Sequence, residues 1–220
     1  MARAMIVPGT EATMAAVFGW GAVGLGRAVE RNLDQILDHR WLAVLARPSG
    51  RPAPTRRWAE LVAVAMAVAA TGLWPAGAAA AVLVLAAGVG IAAWVDSRHG
   101  VIPDLLTAPL IVLGLAASFL AAPLVGGAAA LAGAIVGAGC GLVVRWLGAL
   151  GRGDVKLLAA IGAWLGPLAV VTVLLTASLL MMGYLGWRAR RGGIGQTPFG
   201  PAIACGLVLV LPMSQAAFLN

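Results

Sequence analysis

From residue 61 onward, the chain consists of long apolar runs separated by short basic clusters. Residues 61–95, 105–144, 157–187 and 192–220 contain no Asp, Glu, Lys, Arg or His. Each run exceeds the roughly 20 residues a helix needs to cross a hydrocarbon core, and the first three have room for two crossings. Ala, Leu and Val dominate, without the period-2 alternation of a half-buried strand. In lipid only helices and closed barrels satisfy every backbone N–H and C=O, so these runs predict membrane helices.

Pro and Gly divide the runs. Leu-Trp-Pro-Ala-Gly at 73–77 splits the first into helices near 58–74 and 77–95. Pro-Leu-Val-Gly-Gly at 123–127 splits the second into 105–122 and 127–147, and Gly166-Pro167 splits the third into 155–166 and 167–187. A last helix is expected near 199–218. Glycine followed by proline is a helix stop and restart. The fold class expected is all-α: a polytopic membrane helix bundle with six core transmembrane helices drawn from these seven apolar pieces, and a candidate seventh span at 12–26. The short halves of the first run and the 155–166 piece lie partly in the interface or lean on neighbours. Two regions follow: 1–57, an apolar stretch plus a basic amphipathic cytoplasmic segment, and 58–220, the membrane-embedded domain.

Charge sets the orientation. The net charge is +7, with only 10% of residues charged and 61% hydrophobic. The basic residues cluster at 27–57, 145–156 and 188–191, where the positive-inside rule explains them without a nucleic-acid partner. With 27–57 in the cytoplasm, the loops alternate so that every basic cluster falls on that side. Cys140 and Cys205 lie inside apolar runs, 65 positions apart, and form no CxxC pair. They read as buried small side chains. With His99 in a loop and few other candidate ligands, neither a metal nor another cofactor is inferred.

After Glu60 only three acids remain: Asp96, Asp104 and Asp154. Carboxylates at membrane depth are costly, hence rare and usually functional. Asp96 follows one apolar helix and Asp154 opens another, both at the cytoplasmic end in the topology above. Two such groups brought together share a proton, which supplies a base to activate water and an acid to polarise a carbonyl. Gly151 and Gly153, lacking a Cβ, let the chain unwind and a substrate backbone approach. Taken singly, each acid also suits helix capping, and Asp104, after Pro103, suits first-turn charge. Arg152 and Lys156 suit headgroup anchoring.

At these residues the sequence resembles the type IV prepilin peptidases, intramembrane aspartyl proteases with a GxGD signature. Three ordered segments carry the likeness: Asp-Ser-Arg-His-Gly-Val-Ile-Pro-Asp-Leu-Leu-Thr at 96–107, Gly-Arg-Gly-Asp-Val-Lys-Leu-Leu-Ala-Ala-Ile-Gly-Ala-Trp-Leu-Gly at 151–166, and Thr-Pro-Phe-Gly-Pro-Ala at 197–202. The resemblance implies that Asp96 and Asp154 are the catalytic pair. Gly151, Gly153, Lys156, Pro103, Asp104 and the turn Pro198, Phe199, Gly200 and Pro201 would shape the site. It further implies a prepilin or pseudopilin substrate, whose basic leader is removed after a glycine at the cytoplasmic face of a bacterial inner membrane. Larger members carry a domain with two CxxC pairs and methylate the new N-terminus. Residues 27–57 hold no cysteine, so a short form without methyltransferase activity is expected. Two other classes compete: a proton-coupled small transporter, whose acids should lie near the bilayer midplane, and a catalytically silent scaffold of a pilus or secretion machine.

Overall fold

A computed structural model describes residues 76–121, 124–191 and 197–218. Among these, five helices and no strand are found: α1 (Ala76–His99), α2 (Asp104–Leu120), α3 (Gly127–Trp146), α4 (Arg152–Arg190) and α5 (Gly200–Phe218). The expected helices at 12–26 and 58–74, and the basic segment 27–57, lie outside the described residues. Three helices are long and apolar enough to cross a membrane, within Ala78–His99, Gly127–Trp146 and Arg152–Arg190. α2 and α5 are shorter apolar helices.

α4 is not one rod. As a straight helix its 39 residues would extend about 58 Å. Yet Asp154 near its start interacts with Asp96 of α1, while Arg188 near its end donates to Thr197 Oγ1 (3.0 Å). Thr197 stands three positions before Gly200, whose N–H reaches the same Asp96 (2.7 Å). Both ends therefore lie at one end of the bundle, and the helix must double back. It does so at Gly166, with φ 84° and ψ 179°, a region open essentially to glycine alone. Pro167 restarts the second limb without a backbone donor to satisfy. The expected division at Gly166-Pro167 is thus present as a break within α4.

Contacts fix the other directions. Gly133, Gly137 and Gly141 of α3 face 162, 158 and 155 of α4, in descending order, so α3 runs antiparallel to the first limb. α2 runs parallel to that limb, with Asp104 beside Lys156 and Leu110 beside Trp164. α5 runs antiparallel to the second limb, with Gly206 against Val173, Thr176 and Ala177.

The first limb is the centre of the bundle, with 157–166 buried throughout. Small residues bring α3 against it: a Cβ on Gly133 or Gly162 would run into the other helix's backbone. Such small-residue seams are how membrane helices approach closely when lipid is as apolar as their own side chains. The small-residue run at 127–139 therefore packs within the chain at Gly133 and Gly137, while Gly139 faces open space. Gly114 of α2 leaves room for Trp164, whose indole N–H donates to the Leu110 carbonyl (2.8 Å). Large apolar side chains cover the outside, among them Ile135, Leu168 and Leu179, as a lipid-facing surface requires.

Candidate active site

Asp96 lies in the last turn of α1 rather than in the loop after it. The helix runs four residues past its expected end at 95 and stops at Gly100, which takes φ 68° and donates to the Asp96 carbonyl (2.8 Å). This is an αL glycine cap. The Asp96 side chain is 5% exposed, at a helix end whose carbonyls disfavour a negative charge. A second helix offsets this: the Gly200 N–H at the start of α5 donates to Asp96 Oδ2.

Asp154 is the third residue of α4 and 6% exposed. Its Oδ2 accepts the backbone N–H of Gly151, the residue before the helix (2.9 Å). The side chain thus reaches back to the helix start, as the acid of a capping box does. Its other oxygen, Oδ1, is buried without a hydrogen-bond partner. The two carboxyl groups, 58 positions apart in sequence, interact electrostatically. The structure thus brings together the two acids the motifs select and holds each by a glycine N–H.

The connection between α1 and α2 packs against the same place. A Cβ on Gly153 would sit 2.6 Å from the Ile102 Cβ and 3.1 Å from its carbonyl oxygen. Pro103 caps α2 in extended conformation, and Asp104 opens that helix. Asp104 then forms an ion pair with Lys156, two residues after Asp154. First-turn charge describes Asp104 correctly, and Lys156 is its ion-pair partner. Pro198 and Phe199 lead into α5, and Pro201 follows Gly200 in its first turn.

Sequence reasoning did not single out Ile102, or Thr107, whose hydroxyl is buried without a partner. Both lie inside the first motif, at 96–107, but neither carries a charge that would have drawn attention to it. Cys140 and Cys205 are free and half-buried rather than buried. Among the described residues no group of three or more His, Cys, Asp or Glu could hold a metal ion. Arg98, Arg145, Arg152, Lys156, Arg188, Arg190 and Arg191 all belong to the end of the bundle that holds the acids. The opposite end, 121 with 124–126 and 166–168, carries no charge.

Apolar helices converging on two buried carboxylates at one basic end define a helical membrane protein with a paired-acid site. A family model described as the type IV leader peptidase family matches residues 83–186, which include both acids. The prepilin leader peptidase/N-methyltransferase of Burkholderia pseudomallei is 36% identical over 162 residues, 67% of this chain and 51% of the relative. The type 4 prepilin-like proteins leader peptide-processing enzyme of Escherichia coli O78:H11 is 32% identical over 199 residues, 86% of this chain and 73% of the relative. Leader peptidase HopD of Escherichia coli is 36% identical over 121 residues, 50% of this chain and 77% of the relative. No solved structure matches. The chain belongs to the type IV leader peptidase family. It spans about half the length of relatives such as the Burkholderia enzyme.

Proposed function

We propose that this protein is an intramembrane aspartyl endopeptidase that removes the leader of prepilin-like proteins, with Asp96 and Asp154 as its catalytic pair. The observation that carries this reading is the meeting of two buried, interacting carboxyl groups, each fixed through one oxygen by a backbone N–H. In such a pair the ionised member takes a proton from water, whose oxygen attacks the scissile carbonyl carbon. The protonated member gives its proton to the carbonyl oxygen. The tetrahedral adduct then collapses: the C–N bond breaks, a proton passes to the leaving amine, and one carboxyl remains protonated for the next turnover.

The acids stand at one end of the bundle, not midway along it as a transporter would need. Basic residues crowd that end, which supports a site at the cytoplasmic face of an inner membrane. A leader bond just outside the bilayer would meet the acids there, while the substrate's apolar helix stays in lipid. The peptidase activity alone is assigned, since the cysteine pairs that accompany methylation in larger members are absent from 27–57.

The test is co-expression with an epitope-tagged prepilin, following loss of the leader by gel shift and by the sequence of the new N-terminus. Asp96→Asn and Asp154→Asn should each abolish processing, because neither half of an acid/base pair works alone. Processing that persists in both variants would overturn the assignment. An intact leader with the wild-type protein would favour the scaffold.

A further inference from the structure

One hydrogen-bond partner of Asp96 comes from outside its own helix. It sits where the last carbonyls of α1 face outward, and nearly all of its surface is buried. The start of α5 supplies that partner through its backbone. The Phe199 carbonyl accepts from Ala202 and Ile203 (3.0 and 3.1 Å), so Phe199 is the last residue before the helix proper. Every helix start has N–H groups without an intrahelical acceptor. Here Pro201 removes one, Ala202 turns back on Phe199, and the Gly200 N–H points at Asp96 Oδ2 (2.7 Å). No other residue type fits: a Cβ at 200 would lie 2.8 Å from that oxygen and 2.9 Å from the Asp96 Cβ. The arrangement matches Asp154, held by the Gly151 N–H at the start of α4. The turn is anchored from its other side, where Arg188 donates to Thr197.

We infer that Gly200 is a positioning residue for the reaction: its N–H fixes Asp96 Oδ2 and its bare Cα lets α5 close on that carboxyl group. This rests on the peptidase reading for its functional part, while the hydrogen bond itself stands apart from any activity. The Pro-Phe-Gly-Pro turn thus reaches Asp96 through a backbone donor, the Gly200 N–H. A 1 Å displacement of a catalytic group costs on the order of 100-fold in rate.

The experiment uses the full chain in detergent micelles with a purified prepilin. Gly200→Ala should lower kcat on the order of 100-fold while KM stays within about twofold, because substrate binding is untouched and only the reacting geometry is lost. Gly139→Ala, on the open face of α3, should match wild type. In parallel, in 15N-glycine-labelled protein the Gly200 amide proton should resonate downfield, and Asp96→Ala should move it upfield. Wild-type kcat in Gly200→Ala overturns the inference, as does a Gly200 resonance indifferent to Asp96→Ala. If Gly200→Ala does not fold, the resonance decides alone. If wild-type protein leaves prepilin intact, the peptidase reading fails instead, and the resonance still reports whether Gly200 holds Asp96.

Discussion

Glycine does two kinds of work around the acids. Gly151 and Gly200 donate their N–H groups to carboxylate oxygens, and Gly153 leaves room for Ile102. Gly153→Ala should therefore push the α1–α2 connection off the first turn of α4. Overpacking of this kind costs about 1–3 kcal/mol. Prepilin processing should fall at least as steeply as the melting temperature in detergent, since the displaced chain lies beside Asp154. Equal activity in Gly153→Ala and wild type would show that the contact is dispensable. The acids were legible from sequence because only three follow Glu60, and their cost in lipid makes each one conspicuous. The donor to Asp96 was not, because it is a backbone group 104 positions away, and no side-chain pattern encodes it.

Helix boundaries show the same division. The break at Gly166 could be read directly, because glycine before proline leaves little alternative. The end of α1 could not be read from hydropathy, which falls at Asp96, whereas the helix continues to His99. The signal was Gly100 after two basic residues, a C-terminal cap signature, outweighed by the polarity of Ser97, Arg98 and His99. Between elements, the Asp104–Lys156 pair ties the start of α2 to the first limb of α4. Both side chains are substantially exposed, so removing the pair should cost about 0.2–1 kcal/mol. Asp104→Asn should keep most activity. The reversed charges of Asp104→Lys, Lys156→Asp should process prepilin better than either reversed single variant, as a leader-cleavage time course would show. Additive loss in the double variant would mean that the two residues act separately.

The whole bundle is polar in its charge: every described basic residue lies at the end with the acids. With Cys140 and Cys205 replaced by Ala, single cysteines from Arg98→Cys, Arg145→Cys and Arg190→Cys should react with an impermeant maleimide from one face of sealed vesicles. A cysteine from Val125→Cys should react only from the other. Mixed labelling among the first three would break the topology on which the site depends. Loop charge made this alternation legible, although the descending match of α3 to α4 required coordinates.

The doubling back at Gly166 has a consequence for how the protein is made. Its first limb, 152–165, is about 21 Å long, less than the roughly 30 Å of a hydrocarbon core. It is ill suited to stopping in the translocon as an independent stitch, so the two limbs should enter the bilayer together as one hairpin. If the apex failed to turn during biogenesis, the second limb would exit on the far side. The last helix would then be threaded upside down, with its first amide in the wrong compartment, leaving a stable-looking but permanently unassembled polypeptide for quality control to clear.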